Sequence, residues 1–180
     1  MINKVLFVFK YLFYLISSNT KHGVHSPFVY NFVTRVLDTA RNDPQKYHGI
    51  ELLRRRMLQS KAIIEMEDFG AKRKGVYKIK LAKMVKSAAK MAKYARLLHQ
   101  ICHYYQPKIA LEIGTNVGIS SMYQALAIPN GYLFTLEGSK SCTEIAQYNL
   151  NRLGLENTQI VLGDFKDTLP MVLKELPQLD

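Results

Sequence analysis

The sequence predicts an α/β fold: a doubly wound parallel sheet behind a helical N-terminal extension. Three observations carry this. From Pro107 onward, short apolar runs alternate with helical stretches. Each run ends in a turn containing glycine. Before that point the pattern is helical and strongly basic. Residues 1–108 hold 21 Lys or Arg against 6 Asp or Glu, whereas residues 109–180 hold 4 against 8. Two regions follow, a helical, basic 1–106 and a sheet-forming 107–180, the first suited to an anionic partner.

In the second region, Lys108–Ile113 reads as a buried strand, residues 114–118 as a turn and Ile119–Ala127 as a helix. Pro129-Asn130-Gly131 is a turn, and Tyr132–Leu136 a second strand. Ser141–Leu153 is a helix closed by Gly154, Thr158–Leu162 a third strand, and Asp167–Leu176 a short helix.

The first region opens on an apolar run, Val5–Ile16, that Ser17 and Ser18 stop short of the roughly 20 residues a spanning helix needs. No small-residue cleavage pattern follows it. Residues 2–17 are read as a helix buried round most of its circumference against the domain or a partner, with peripheral contact to a membrane surface as the alternative. Ser26-Pro27 marks a helix start, continued by Phe28, Phe32, Val33 and Val36. His22 and His25 lack flanking Cys, Asp or Glu and read as loop residues rather than metal ligands. A second helix covers residues 41–60, residues 68–75 form a basic loop bounded by glycines, and a third helix spans 78–104. On that helix Lys80, Lys83, Lys86, Lys90, Lys93 and Arg96 recur every three or four residues, and the last five fall within an arc of about 140°. The Lys80–Arg96 stripe is a solvated face or a surface for a phosphate-bearing substrate or nucleic acid.

Composition narrows the class. Hydrophobic residues are 48% and charged residues 22% of the 180, a balance no disordered chain shows. Cys102 and Cys142 are too few for a disulfide scaffold, which places the chain in the reducing cytoplasm.

The chemistry is carried by the turns after the three strands, because ligands of open parallel sheets sit beyond the carboxyl ends of the strands. The first is Glu112-Ile113-Gly114-Thr115-Asn116-Val117-Gly118. Gly114 allows a sharp turn and close ligand approach, and Gly118 allows the following helix to pack near the strand. A dinucleotide fingerprint would place its second glycine at Asn116, and a pyrophosphate would face Glu112. A carboxylate there suits a ligand bearing an ammonium and a sulfonium but no phosphate, which is the chemistry of S-adenosylmethionine. In the second turn, Glu137-Gly138, the carboxylate lies 23 residues after Gly114 and can accept from both ribose hydroxyls. In the third, Gly163-Asp164-Phe165, Asp164 can accept from an adenine amino group and Phe165 can cover the ring. The residues alone leave open another kind of nucleotide binding, or a bare structural role.

These stretches carry a resemblance. Leu111 to Ser121 is similar to the Glu-x-Gly-Thr-x-x-Gly-x-Ser signature of class I S-adenosylmethionine-dependent methyltransferases of the small-molecule O-methyltransferase type. Thr135-Leu136-Glu137-Gly138 and Leu162-Gly163-Asp164-Phe165 resemble the second and third motifs of that Rossmann-like family. His22 to Tyr30 resembles the N-terminal signature of a group of uncharacterised bacterial methyltransferases. The resemblance implies that Glu112, Gly114 and Thr115 line the methionine end, with Gly118 and Ser120 where the helix starts. It implies that Glu137 and Gly138 hold the ribose, and Gly163, Asp164 and Phe165 the adenine. It also implies methyl transfer to a small-molecule acceptor. A nucleic-acid acceptor on the basic region, or a truncated non-catalytic binding module, are the alternatives.

The chain supplies strands 3-2-1 of the family's sheet and stops where a fourth would begin. The family's acid near the methyl group has no counterpart, so no catalytic base and no metal ligand are assigned. A bare edge on the first strand invites pairing. The chain is therefore expected to be a fragment of a protein of about 250 residues. A homodimer through that edge, or helices folded over it, are the alternatives.

Overall fold

The computed structural model describes residues 2–18, 23, 26–37, 45–69, 75–176 and 179. The chain forms two compact units, residues 1–39 and 40–180.

In the first unit, α1 (Ile2–Ser17) is the expected N-terminal helix. No described residue of its own unit covers it, since every side chain from Val5 to Ser17 is exposed, Phe13 at 73% and Ile16 at 85%. Among the described residues no helix is long and apolar enough to cross a membrane. The second helix, α2 (Pro27–Asn31), starts as its sequence demands: Ser26 accepts from the Val29 amide, and Pro27 stands in the first turn. A π-helical segment, Phe32–Leu37, continues it. His22 and His25 lie outside the described residues.

The second unit begins with a short 3-10 turn, Gln45–Tyr47, and α3 (His48–Gln59), inside the helix expected over 41–60. The chain then departs from expectation. An antiparallel hairpin, β1 (Ile63–Asp68) and β2 (Gly75–Lys80), stands where only a loop and the start of a long helix were read. The expected third helix is two, α4 (Leu81–Ala88) and α5 (Ala92–Tyr105). The Lys80–Arg96 stripe is therefore not one helical face. Ala89 and Met91 take extended backbone angles, and Arg54 Nη1 donates to the Lys90 carbonyl at 2.6 Å, a tertiary contact that overrides the helix propensity of this Ala-rich stretch.

The sheet follows the sequence closely. β3 (Ile109–Ile113), β4 (Tyr132–Glu137) and β5 (Thr158–Leu162) are parallel, in the order β3-β4-β5. They alternate with α6 (Ile119–Ala127), α7 (Lys140–Arg152) and α8 (Phe165–Glu175). Parallel strands need covered faces, and the runs Ile-Ala-Leu and Tyr-Leu-Phe-Thr-Leu supply the apolar surface. The main core joins Ile50, Leu53 and Met57 of α3, Met84 and Val85 of α4, and Ile119, Met122 and Tyr123 of α6, with Cys142 and Leu150 of α7. α3, the hairpin, α4 and α5 thus belong to the same unit as the sheet, although composition changes at 106/107. Cys102 and Cys142 are free and buried, and burial lifts their thiols to about 11 and about 12 respectively.

One core residue sets an acid limit on stability. His99 is 1% exposed, and neither ring nitrogen has a hydrogen-bond partner among the described residues. Its ring stacks edge-on to Tyr47. Burial, with help from Lys46 and His103, lowers its pKa from 6.5 to about 4. The fold therefore favours the neutral ring, and the unfolded chain takes up a proton first as pH falls. His99 leaves stability independent of pH above 6.5 and erodes it as pH drops from 6.5 toward 4, by about 3 kcal/mol in all. Denaturant melts of wild type and His99→Phe across that range should show a shallower acid decline in the variant. An unchanged decline would assign the acid sensitivity elsewhere.

Candidate functional site

The carboxyl ends of the three strands lie side by side along the sheet. After β3, Gly114 takes φ +96°, and the space where a side chain would stand is open for 4 Å, as close ligand approach requires. The Gly114 and Thr115 amides both donate to the Leu136 carbonyl at 2.9 and 3.0 Å, which ties the turn to the end of β4. Gly118 begins α6 at φ +80°, and a Cβ there would lie 3.1 Å from Ala146 Cβ. The close approach that needs this glycine is to α7, not to the strand as the sequence suggested.

Glu112 closes β3 from a half-buried position. Its Oε2 accepts from the Ser121 hydroxyl and from Thr135 Oγ1 at 2.8 Å, and its Oε1 from Gln124 Nε2 at 2.8 Å. These donors hold the carboxylate in one orientation and leave it acceptor capacity. Thr115 is buried and points away from solvent, its hydroxyl 2.7 Å from that of Thr135. Glu137 closes β4, 9% exposed. Its Oε2 accepts from the Asn116 amide at 2.7 Å and its Oε1 from the Ser139 amide at 2.9 Å. Two backbone donors fix where it points. Beyond β5, the Gly163 amide donates to the Glu137 carbonyl at 2.9 Å, and Asp164 caps α8 by accepting from the Lys166 amide at 3.0 Å.

The sequence-predicted residues fall into two hollows. One, of about 340 Å³, is lined by Glu112, Gly114, Thr115 and Ser120, together with Asn116, Gln124 and Lys90. The other, of about 310 Å³, is lined by Glu137, Gly138, Gly163, Asp164 and Phe165, together with Met66 and Phe69. Gly118 lines neither. Asn116 joins them, since it lines the first hollow while its amide holds Glu137 of the second. The partition separates the residues expected at a methionine end from those expected at a nucleoside. A third, apolar hollow of about 380 Å³ between α3, α4 and α7 contains none of them.

Sequence reasoning missed two contributors. Asn116 stands at φ +52°, a conformation Asn tolerates better than most residues, and its Oδ1 accepts from the Val117 amide at 2.8 Å. Its position between two turn glycines was the available signal. Phe69, at the end of β1, lies so close to Gly138 that a Cβ there would be 2.8 Å from its ring. Nothing local in the sequence links residues so far apart. Among the described residues no group of three metal-ligating side chains gathers.

A parallel α/β sheet whose strand ends present carboxylates to paired hollows is a Rossmann-like ligand-binding domain. The family model described as O-methyltransferase matches residues 59–180, and the chain belongs to that family. A catechol O-methyltransferase of Niastella koreensis is 41% identical over 85 residues, covering 46% of this chain and 37% of that protein. One from Mycobacterium tuberculosis is 36% identical over 81 residues, covering 44% and 37%. An O-methyltransferase from Bacillus cereus, solved in complex with SAH, superimposes with a TM-score of 0.50 at 18% identity over 84% of this chain and 56% of that one, a likeness of fold. The chain spans less than two-fifths of the length of these curated relatives.

Proposed function

We propose that this chain is the cofactor-binding part of an S-adenosylmethionine-dependent O-methyltransferase acting on a small hydroxylated molecule in the cytoplasm. The observation that supports it most is the ordered placement of three acids, Glu112, Glu137 and Asp164, at the ends of the neighbouring strands β3, β4 and β5, where they line two hollows. The residues fit the group. Both hollows carry carboxylates, neither carries an arginine, and the open face of Gly114 admits a ligand against the backbone. Glu112 and Lys90 in the first hollow suit a ligand end that carries both charges, and the carboxylates of the second suit a phosphate-free nucleoside.

In this reading Glu112, Gly114, Thr115 and Ser120 line the methionine end. Glu137 and Gly138 receive the ribose, while Gly163, Asp164 and Phe165 border the adenine. When bound, the cofactor supplies an electrophilic sulfonium methyl. The residues of this chain contribute binding and orientation, which favour in-line attack by shortening the search for a reactive geometry. Family membership and the resemblance to the two catechol O-methyltransferases favour a small acceptor bearing a hydroxyl.

A second reading, a nucleic-acid acceptor, draws on Lys80, Lys83, Lys86, Lys90 and Lys93, which are exposed and paired with no carboxylate among the described residues. Calorimetric titration tests both. Heat of binding with S-adenosylmethionine is the expected result, and none from a folded preparation would overturn the cofactor assignment. Binding of an RNA oligonucleotide that weakens steeply with salt would favour the second acceptor class.

A further inference from the structure

The break between α4 and α5 brings a cation to the hollow that holds Glu112. Ala89 (φ −68°, ψ 137°) and Met91 (φ −59°, ψ 146°) carry the chain out of one helix and into the next, and Ala88, Ala89 and Lys90 contribute to the lining of that hollow. The break is anchored by a chain of polar contacts. The Lys90 carbonyl accepts from Arg54 Nη1 at 2.6 Å. Arg54 Nε donates to both oxygens of Glu51 at 3.0 and 3.1 Å, and Glu51 Oε1 accepts from the Tyr123 hydroxyl at 2.8 Å. Arg54 and Glu51 are 11% and 20% exposed and Tyr123 is fully buried, so the anchor is part of the packed interior. It fixes the Lys90 backbone, while the Lys90 ammonium forms no ion pair among the described residues. Lys83 and Lys86, its neighbours on α4, line no part of the hollow.

One small cavity thus holds a carboxylate oriented by three side-chain donors, a backbone turn open to close approach, and a lysine whose main chain is pinned in place. An α-amino acid presents the complementary pair of charges, an ammonium for Glu112 and a carboxylate for a cation. An ammonium-to-carboxylate contact in a partly enclosed site is stronger than one in open solvent. We infer that Lys90 binds the carboxylate at the amino-acid end of the cofactor, which rests on S-adenosylmethionine being the ligand of this cleft. The competing donors are the amides in the first turn of α6, and the test separates the two.

Wild type, Lys90→Met and Lys86→Met are titrated calorimetrically with S-adenosylmethionine and with its decarboxylated analogue, which keeps the sulfonium and the ammonium. Lys90→Met is expected to weaken S-adenosylmethionine binding about ten- to hundredfold, while its affinity for the analogue equals that of wild type. Lys86→Met is expected to bind both as wild type does. Unchanged affinity of Lys90→Met for S-adenosylmethionine would give the carboxylate to the α6 amides and overturn the inference. Equal losses for both ligands would overturn it too, by showing that the substitution disturbs the hollow as a whole. A folded wild type that binds neither ligand would instead remove the cofactor reading itself.

Discussion

Glu137→Gln should lose S-adenosylmethionine binding by about a hundredfold or more and lower the stability of the ligand-free protein by about 2 kcal/mol. The substitution keeps the size of the side chain, so it opens no cavity. It changes the hydrogen-bond inventory. Glu137 accepts from the Asn116 amide at 2.7 Å with one oxygen and from the Ser139 amide at 2.9 Å with the other. A glutamine supplies one acceptor and one NH2, so one of the two backbone donors meets another donor at close range in a site 9% exposed. The Asn116 peptide then tilts, and with it the floor shared by the two hollows. In the proposed reading the ribose loses a charged acceptor at the same time. A thermal melt without ligand reads the first effect, and the ligand-induced shift in melting temperature reads the second. A variant that melts and binds as wild type does would show that Glu137 is neither the strut of this turn nor a ligand contact.

The route from sequence to site was short where chemistry is local and failed where it is not. β3, β4 and β5 are apolar runs closed by glycine turns, and each ends within two residues of an acid that lines a hollow. Position after a strand was enough to expect Glu112, Glu137 and Asp164 beside hollows at the strand ends. That Glu137 would be held by the Asn116 and Ser139 amides was not legible, because it depends on Asn116 entering the left-handed region. The hairpin was missed for a different reason. Charged residues fill three of the six positions of Ile63–Asp68 and two of the six of Gly75–Lys80, and the lysine spacing of the second run also fits a helix. Pairing, Glu65 opposite Lys78 and Met66 opposite Tyr77, decides it. The α4–α5 break is the extreme case. Ala88-Ala89-Lys90-Met91 is good helix sequence, and what opens it is a guanidinium 36 residues earlier in the chain. The surface that carries Lys90 to the hollow therefore exists only in three dimensions.

Gly131→Ala is the substitution expected to damage the fold most. The sequence marks Pro129-Asn130-Gly131 as a turn, and Gly131 is not among the positive-φ positions. Its reason is proximity. A Cβ would stand 2.2 Å from the Pro107 carbonyl oxygen and 3.3 Å from Ile128 Cβ. Neither neighbour is the free end of a flexible side chain. Pro107 precedes β3 and Gly131 precedes β4, and the Tyr132 amide donates to the Lys108 carbonyl at 2.8 Å where the two strands first pair. Relief of the clash must push β4 away from β3 at this end. Asn157 adds to the cost, because its Nδ2 binds the Ala125, Ile128 and Gly131 carbonyls together and cannot follow one without leaving the others. The loss is expected to reach about 3 kcal/mol or more, the scale of severe overpacking. Gly154→Ala is the control. Gly154 stands at φ +66° with open space around it, so alanine there meets conformational strain alone, worth about 1 kcal/mol. Denaturant melts of the two variants should differ by about 2 kcal/mol, with Gly131→Ala the weaker. Because Glu112 pairs in register with Thr135 of β4, whose hydroxyl donates to it, strand separation should also weaken ligand binding in Gly131→Ala and spare it in Gly154→Ala. Equal melts for the two would mean that the Pro107–Gly131 contact yields without cost, and that the alignment of β3 and β4 is set elsewhere.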